Sequence, residues 1–230
     1  MKITIITATE NKGCTFHLKE HFLSAVREGN EITEFYLPGD LPHFCCGCKT
    51  CFMKSEHQCP HAAHTMRIWN AIREADLLVI AYPVYVSGMP GQLKALLDHF
   101  ACHHMVHKPD KAMFGKRAVI LTQSLRSSNS AAQKEVKNSL VWLGVSDIKS
   151  SGFMMKDGYV WEELPEKQKK RIEESVQKLS LRYRSGRIVK AGLKVKLLFA
   201  VSKAMIQRSL KNAEAKSADA RYWQSQGWIS

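Results

Sequence analysis

Along the first 155 residues, short apolar runs alternate with longer amphipathic segments, and the period of the pattern changes at each junction. Lys2–Ala8 (KITIITA) is apolar and β-branched, as a buried strand requires. The polar loop Thr9–Thr15 leads into a helix reaching about Arg27, and Glu31–Leu37 reads as a second strand stopped by Pro38-Gly39. A helix over about Thr65–Glu74 precedes Asp76–Tyr82, a continuous apolar run of the kind buried on both faces of a parallel sheet. Pro83–Gly91 reads as a loop, Gln92–His104 as a helix and Arg117–Thr122 as a strand. Ser130–Leu143 is helical, Ile148–Met154 is the last strand, and Pro165–Tyr183 has a helical pattern with a charged outer face. Such alternation predicts an α/β fold: a doubly wound parallel sheet of five strands with helices on both faces.

In that architecture ligands bind outside the carboxyl ends of the strands, near the switch in strand order. Three loops then matter: those after Ala8, after Tyr82 and after Thr122. The first, TATENKGCT, could aim backbone N–H groups and the Thr9 and Thr15 hydroxyls at a phosphate on a helix N-terminus, or be an ordinary turn capped by Thr15. It is neither GxGxxG nor GxxxxGK[ST], which disfavours a Rossmann dinucleotide site and a P-loop. In the second, Pro83 stiffens the turn, so that Tyr85 either faces a flat ligand or packs against the body.

Composition adds a thiol cluster to this picture. Five of the chain's seven cysteines lie in FCCGCKTCFMKSEHQCP, residues 44–60. The opening strand does not resemble a signal peptide, and no apolar window is long enough for a transmembrane helix, so a cytoplasmic, reducing location is expected. There, clustered cysteines bind metal or do redox chemistry more often than they pair. Cys45, Cys48, Cys51 and Cys59 form C-x₂-C-x₂-C-x₇-C, close to the four-thiolate ligation of a [4Fe–4S] cluster. Zinc is the rival occupant, and an empty thiol loop is the third reading. Cys46 falls outside the spacing, and His57 or His61 could help close a metal site.

These pieces, in order, resemble the flavodoxin-like NAD(P)H-dependent FMN reductase family, in particular its iron–sulfur flavoprotein branch. The resemblance rests on Thr9-Glu10-Asn11 with Gly13-Cys14-Thr15, on Cys45-Cys46-Gly47-Cys48 with Cys51, on Ala75-Asp76 leading to Ile80, on Pro83-Val84-Tyr85 and on Leu93-Lys94 with Asp98-His99. It covers about residues 1–155. Ala63-His64 stands where the family usually has an acidic pair, and Gln123-Ser124-Leu125 lacks the paired glycines of many members. The resemblance implies non-covalent FMN, with Thr9, Asn11, Gly13, Cys14 and Thr15 at the phosphate. It puts Pro83, Val84, Tyr85 and Val86 against the isoalloxazine, with Gln123, Ser124 and Leu125 bordering the ring. NAD(P)H would then reduce a flavin, a quinone or another small acceptor in a homo-oligomer whose partner completes the pocket. The cofactor carries the chemistry, so no catalytic acid–base pair is demanded. In the alternative, the cluster passes single electrons to a redox protein such as a ferredoxin.

The net charge of +13 is uneven, because residues 181–230 hold eleven Lys/Arg against two Asp/Glu. The chain thus divides into a main domain, 1–183, and a basic amphipathic helical arm, 184–230. In that arm Leu193, Leu197, Val201 and Met205 recur at helical spacing. This stripe is expected to pack on the domain or on a second subunit, with lipid or nucleic acid as lesser readings. The absence of an aromatic platform argues against nucleic acid. Trp223 and Trp228 are expected to be buried anchors for the arm.

Overall fold

The computed structural model describes residues 1–156, 160–187, 189–212 and 217–230; Ile188, within the basic arm, lies outside the described residues. Five strands, β1 (Lys2–Thr7), β2 (Glu31–Tyr36), β3 (Leu77–Pro83), β4 (Arg117–Leu125) and β5 (Asp147–Met155), form one sheet in the order β2-β1-β3-β4-β5, and every pair is parallel. This is the doubly wound, flavodoxin-like arrangement expected.

Strand side chains alternate faces, and here both faces are covered. In β3, Leu78, Ile80 and Tyr82 enter one core while Leu77, Val79 and Ala81 enter the other. The unbroken apolar run is therefore two period-two patterns superposed. The first core is closed by α3 (Ala62–Glu74), α4 (Gly91–His99) and α5 (Ser130–Trp142), through Ile68, Trp69, Leu93, Leu96, Val136 and Leu140. The second is closed by α1 (Cys14–Ser24) and α6 (Glu166–Ser180), through Leu18, Phe22, Ile172 and Val176. A single-turn helix, α2 (Thr50–Met53), lies inside the cysteine loop.

Two elements follow. Helix α7 (Leu193–Asn212) turns Val195 into the first core, and α8 (Ala218–Ser225) buries Trp223 completely among Ile206, Ala220 and Ile229. Phe199 stacks on Trp223 at 5.0 Å, and Trp228 packs edge-on against both rings. Trp223 is thus the buried anchor expected, while Trp228 is half-buried, and the apolar stripe does not pack on the domain. Leu193, Leu197, Val201 and Met205 are 85, 62, 49 and 57% exposed, because the helix docks through its other face: Val195, Phe199, Ser202 and Ile206. The helix is apolar on more than one face, so spacing alone did not select the buried one.

Gln123-Ser124-Leu125 is a second correction. The sequence reading ends the strand at Thr122, yet the three residues continue β4, paired with Phe153, Met154 and Met155 of β5. β5 is long enough to supply ladder partners for all three. The turn that follows begins at Arg126, in the left-handed region at φ 55°. Among the described residues no helix is long and apolar enough to cross a membrane.

Candidate functional site

The order of the sheet places β1 between β2 and β3, so the chains leaving β1 and β3 diverge at a switch point. The bond from Ala8 N–H to the Ala81 carbonyl, 2.8 Å, extends the ladder to this edge, and Gln92 Nε2 donates to the Ala8 carbonyl at 2.9 Å. The turn after β1 is then held by its own atoms: Asn11 N–H donates to Thr9 Oγ1 at 3.2 Å. Gly13 is the N-cap of α1. No side chain caps that helix, and no acid lies in its first turn. Thr15 is therefore not the cap that the ordinary-turn reading required; it is buried in the first turn. The first-turn N–H groups of a helix have no intrahelical acceptor, and with the dipole they favour an anion. A Cβ on Gly13 would meet nothing nearer than 3.8 Å, so the approach is open.

Cys14 contributes to this turn through its backbone. Its thiol sits 3.3 Å from Met155 Sδ in the core, and burial, with the Glu162 carboxylate nearby, pushes it up to about 11. The side chain is a neutral, inward-facing thiol at neutral pH.

After β3 the chain makes a tight reversal. Tyr85 and Gly88 exchange backbone hydrogen bonds of 3.1 and 2.9 Å across Val86-Ser87, whose φ values are 48° and 62°. Two consecutive left-handed residues match a type I′ turn, which asparagine and glycine occupy easily and valine does not. Val86 is fully exposed and Tyr85 half exposed at this strained tip. The Val84 N–H donates to the Gln123 carbonyl at 2.7 Å, tying this turn to the end of β4. Ser124 is buried and occupied internally, since its hydroxyl donates to the Ser127 carbonyl at 2.5 Å and accepts from Asn129 Nδ2 at 3.0 Å. Gln123 and the exposed Leu125 therefore border the tip, and Ser124 braces the following turn. Two clefts of about 520 Å³ lie elsewhere on the sheet, one between β5 and α6, reaching Phe153 and Lys156, and one beside β2 and α3.

The cysteine loop forms a separate centre. Cys45, Cys46, Cys48, Cys51 and Cys59 line one small cavity of about 60 Å³, with His61, Asp98 and His99. Gly47 and Lys49, at φ 67° and 62°, turn the chain on either side of Cys48. Hydrogen bonds from Thr50 lower the Cys48 thiol below its ordinary value, whereas burial raises Cys51 and Cys59. Cys102 lies beneath Cys51 and is raised by burial.

Among the described residues, the trio whose ligand atoms fall within 4.8 Å of one another is Cys59, His61 and His99. His99 Nδ1 donates to the Ala95 carbonyl at 2.7 Å, which leaves Nε2 as the lone-pair nitrogen, 3.0 Å from His61 Nδ1. No comparably tight trio forms among the four spaced thiols alone. They surround the cavity rather than converge on one point, as a multi-atom centre would need.

Lys108 holds this loop in place, and the sequence reading did not identify it. Its buried ammonium donates to the Cys51 carbonyl at 2.7 Å and to the Lys54 carbonyl at 3.3 Å. The residues flanking it are gripped by α8: Trp223 Nε1 donates to the His107 carbonyl at 2.6 Å, and the Tyr222 hydroxyl to the Pro109 carbonyl at 2.7 Å. The C-terminal aromatics thus position, through Lys108, a loop more than a hundred residues earlier. Beneath the cavity His103 stacks on Trp69 with ring centres 3.9 Å apart, and burial lowers it to about 4. It is a neutral core ring.

The profile of the NADPH-dependent FMN reductase family matches residues 1–159. An iron–sulfur flavoprotein of Methanocaldococcus jannaschii is 34% identical over 100 residues, 43% of this chain and 51% of the relative. An FMN-dependent NADH:quinone oxidoreductase of Cereibacter sphaeroides is 35% identical over 86 residues, 34% of this chain and 44% of the relative. The chain thus spans about half the length of these curated relatives. In structure it resembles an FMN-dependent NADH-azoreductase from Bacillus anthracis solved with FMN, at TM-score 0.60 and 13% identity over 80% of this chain and all of that one. It also resembles an NAD(P)H:quinone oxidoreductase from Methanothermobacter marburgensis, at TM-score 0.63 and 15% identity over 80% of this chain and 96% of that one. At such identities the likeness is one of fold.

Proposed function

The chain belongs to the NADPH-dependent FMN reductase family, and on that premise we propose that it is an FMN-dependent oxidoreductase passing electrons from NAD(P)H to a quinone, a flavin or a similar small acceptor. The observation that carries this reading is the meeting, at one switch point, of the uncapped α1 N-terminus and the strained Tyr85–Gly88 tip. The first suits a phosphate and the second a flat apolar ring. When bound, FMN supplies hydride acceptance and one- or two-electron transfer.

The chain's own residues bind and orient. Backbone N–H groups at Gly13, Cys14 and Thr15, with the Thr9 and Thr15 hydroxyls and Asn11, would hold the phosphate. Pro83, Val84, Tyr85 and Val86 would lie along the ring, the exposed apolar atoms of Tyr85 and Val86 leaving water when it docks. Gln123 and Leu125 would border its far edge. A second copy of the chain would complete the pocket in this reading, and seven free thiols suit a reducing, cytoplasmic setting.

The donor set of the cysteine cavity fits an iron–sulfur centre: soft thiolates at Cys45, Cys48, Cys51 and Cys59 disposed around one space. Such a centre supplies single-electron transfer. The relatives named iron–sulfur flavoproteins favour this second cofactor and, with it, the reading of an electron carrier between proteins.

Anaerobic purification tests the reading. The expected product is coloured, releases about one FMN per chain and oxidises NAD(P)H when a quinone is added; iron and sulfide assays report the second centre. Colourless protein that takes up no added FMN defeats the proposal.

A further inference from the structure

The α7 face left in water demands an occupant. Leu193, Leu197, Val201 and Met205 form a ridge with one residue per turn, about 18 Å long at 1.5 Å per residue. Ala200 and Ala204 are exposed beside it. Lys194 and Arg208, also exposed, continue the same face at the spacing i, i+3, i+7, i+11, i+14 through Leu197, Val201 and Met205. Lys196 and Lys203 run along one flank. Residues 175–213 contain ten Lys/Arg and not one Asp/Glu. Arg182, Arg184, Arg187 and Lys190, just before the helix, are exposed as well.

We propose that this face of α7 docks on an anionic lipid surface, the helix lying parallel to the bilayer plane. Two observations together select that occupant. An apolar ridge flanked by cations and free of acids is the pattern of an interfacial helix: the ridge enters the headgroup boundary while the cations meet lipid phosphates. Helix α7 is also already anchored to the body by its other face, through Val195, Phe199 and Ile206, so the ridge is held outward rather than collapsed inward.

A second copy of the chain is a poorer partner. Pairing two α7 faces about a twofold axis would set Lys194, Lys196, Lys203 and Arg208 against the same four cations, with no acid on the helix to offset them. Nucleic acid is poorer still. The one aromatic of α7, Phe199, is turned inward onto Trp223, so the face offers no stacking platform, and an apolar ridge gains nothing from phosphates. The inference does not depend on the flavin reading.

Flotation of the full-length holoprotein with vesicles tests it. Expected is co-flotation with vesicles of phosphatidylglycerol mixed into phosphatidylcholine, none with phosphatidylcholine alone, and release as salt is raised. The double variant L197E/V201E and the charge reversal K194E/R208E should each weaken vesicle binding at least about tenfold. Bound flavin and the far-ultraviolet circular dichroism spectrum should stay unchanged in both. The milder Leu197→Gln should give a smaller loss and guards against misfolding of the double variant. Three results would overturn the proposal: no binding to anionic vesicles; binding that ignores L197E/V201E; or a dimer in sedimentation that L197E/V201E dissociates, which would assign the ridge to a second copy. Binding to a generic RNA in preference to vesicles, abolished by K194E/R208E and untouched by Leu197→Gln, would overturn it as well.

Discussion

At the carboxyl edge of the sheet, position comes from strand ends: Ala8 is tied to Ala81, Val84 to Gln123 and Arg126 to Met155, all by backbone hydrogen bonds. At the cysteine cavity, position comes from side chains that reach across the chain: the Lys108 ammonium on Cys51 and Lys54, His99 on Ala95, and the indole of Trp223 on the segment that carries Lys108. The first region is a consequence of the sheet and persists as long as the sheet does. The second is assembled from long-range contacts, so it can be loosened while the sheet stays folded. The two regions should therefore fail separately.

The largest separation should come from Trp223→Ala. Removing a fully buried indole costs about 3–5 kcal/mol of packing, but the loss falls on α8 and the 107–109 segment. Iron held at the cysteine cavity in the proposed reading should drop several-fold while FMN content holds, measured by iron assay and flavin release on one sample. Lys108→Met, which leaves the Cys51 and Lys54 carbonyls without their donor, should reproduce the loss of metal with a smaller fall in melting temperature. Equal loss of both cofactors in either variant would break the comparison.

Acid should act next. His103 is held near pKa 4 by burial, against about 6.5 when unfolded, so between those values the unfolded chain binds more protons and stability rises with pH. On acidification from pH 6.5 to 4 this ring removes about 3 kcal/mol of stability, at about 1.4 kcal/mol per pH unit. His103→Phe, which keeps a ring over Trp69, should flatten the urea-midpoint profile across that window.

On the flavin side, Gly13→Asp should act with opposite signs. An aspartate at the N-cap stabilises α1 by about 0.5 kcal/mol, but it puts a carboxylate where the FMN phosphate is read to bind. FMN affinity should fall at least about tenfold, or about 1.4 kcal/mol, while the apoprotein melts slightly higher. Val86→Gly should be the mildest change: relief of a left-handed valine stabilises the apoprotein by about 1 kcal/mol. The loss of apolar surface at the tip should weaken FMN by a few-fold, read by fluorescence titration.

Period and punctuation in the sequence were sufficient for the sheet, its five strands and the loops at its carboxyl edge, because alternation of side chains and turn chemistry are local properties. The cysteine spacing was equally legible, since ligand type is written in residue identity. Tertiary structure alone decided the rest. β4 runs through Leu125 because β5 offers a partner there; Gly13, not Thr15, stands at the N-cap position and leaves α1 without a side-chain cap; Lys108 and His99 reach the cysteine loop from segments distant in the chain. Which face of α7 was buried depended on the aromatic cluster of α8 that it met, and a helix apolar on two faces carries no local mark of that choice. Local pattern specifies what a segment can become, whereas long-range packing specifies which of its surfaces is covered and which stays in water.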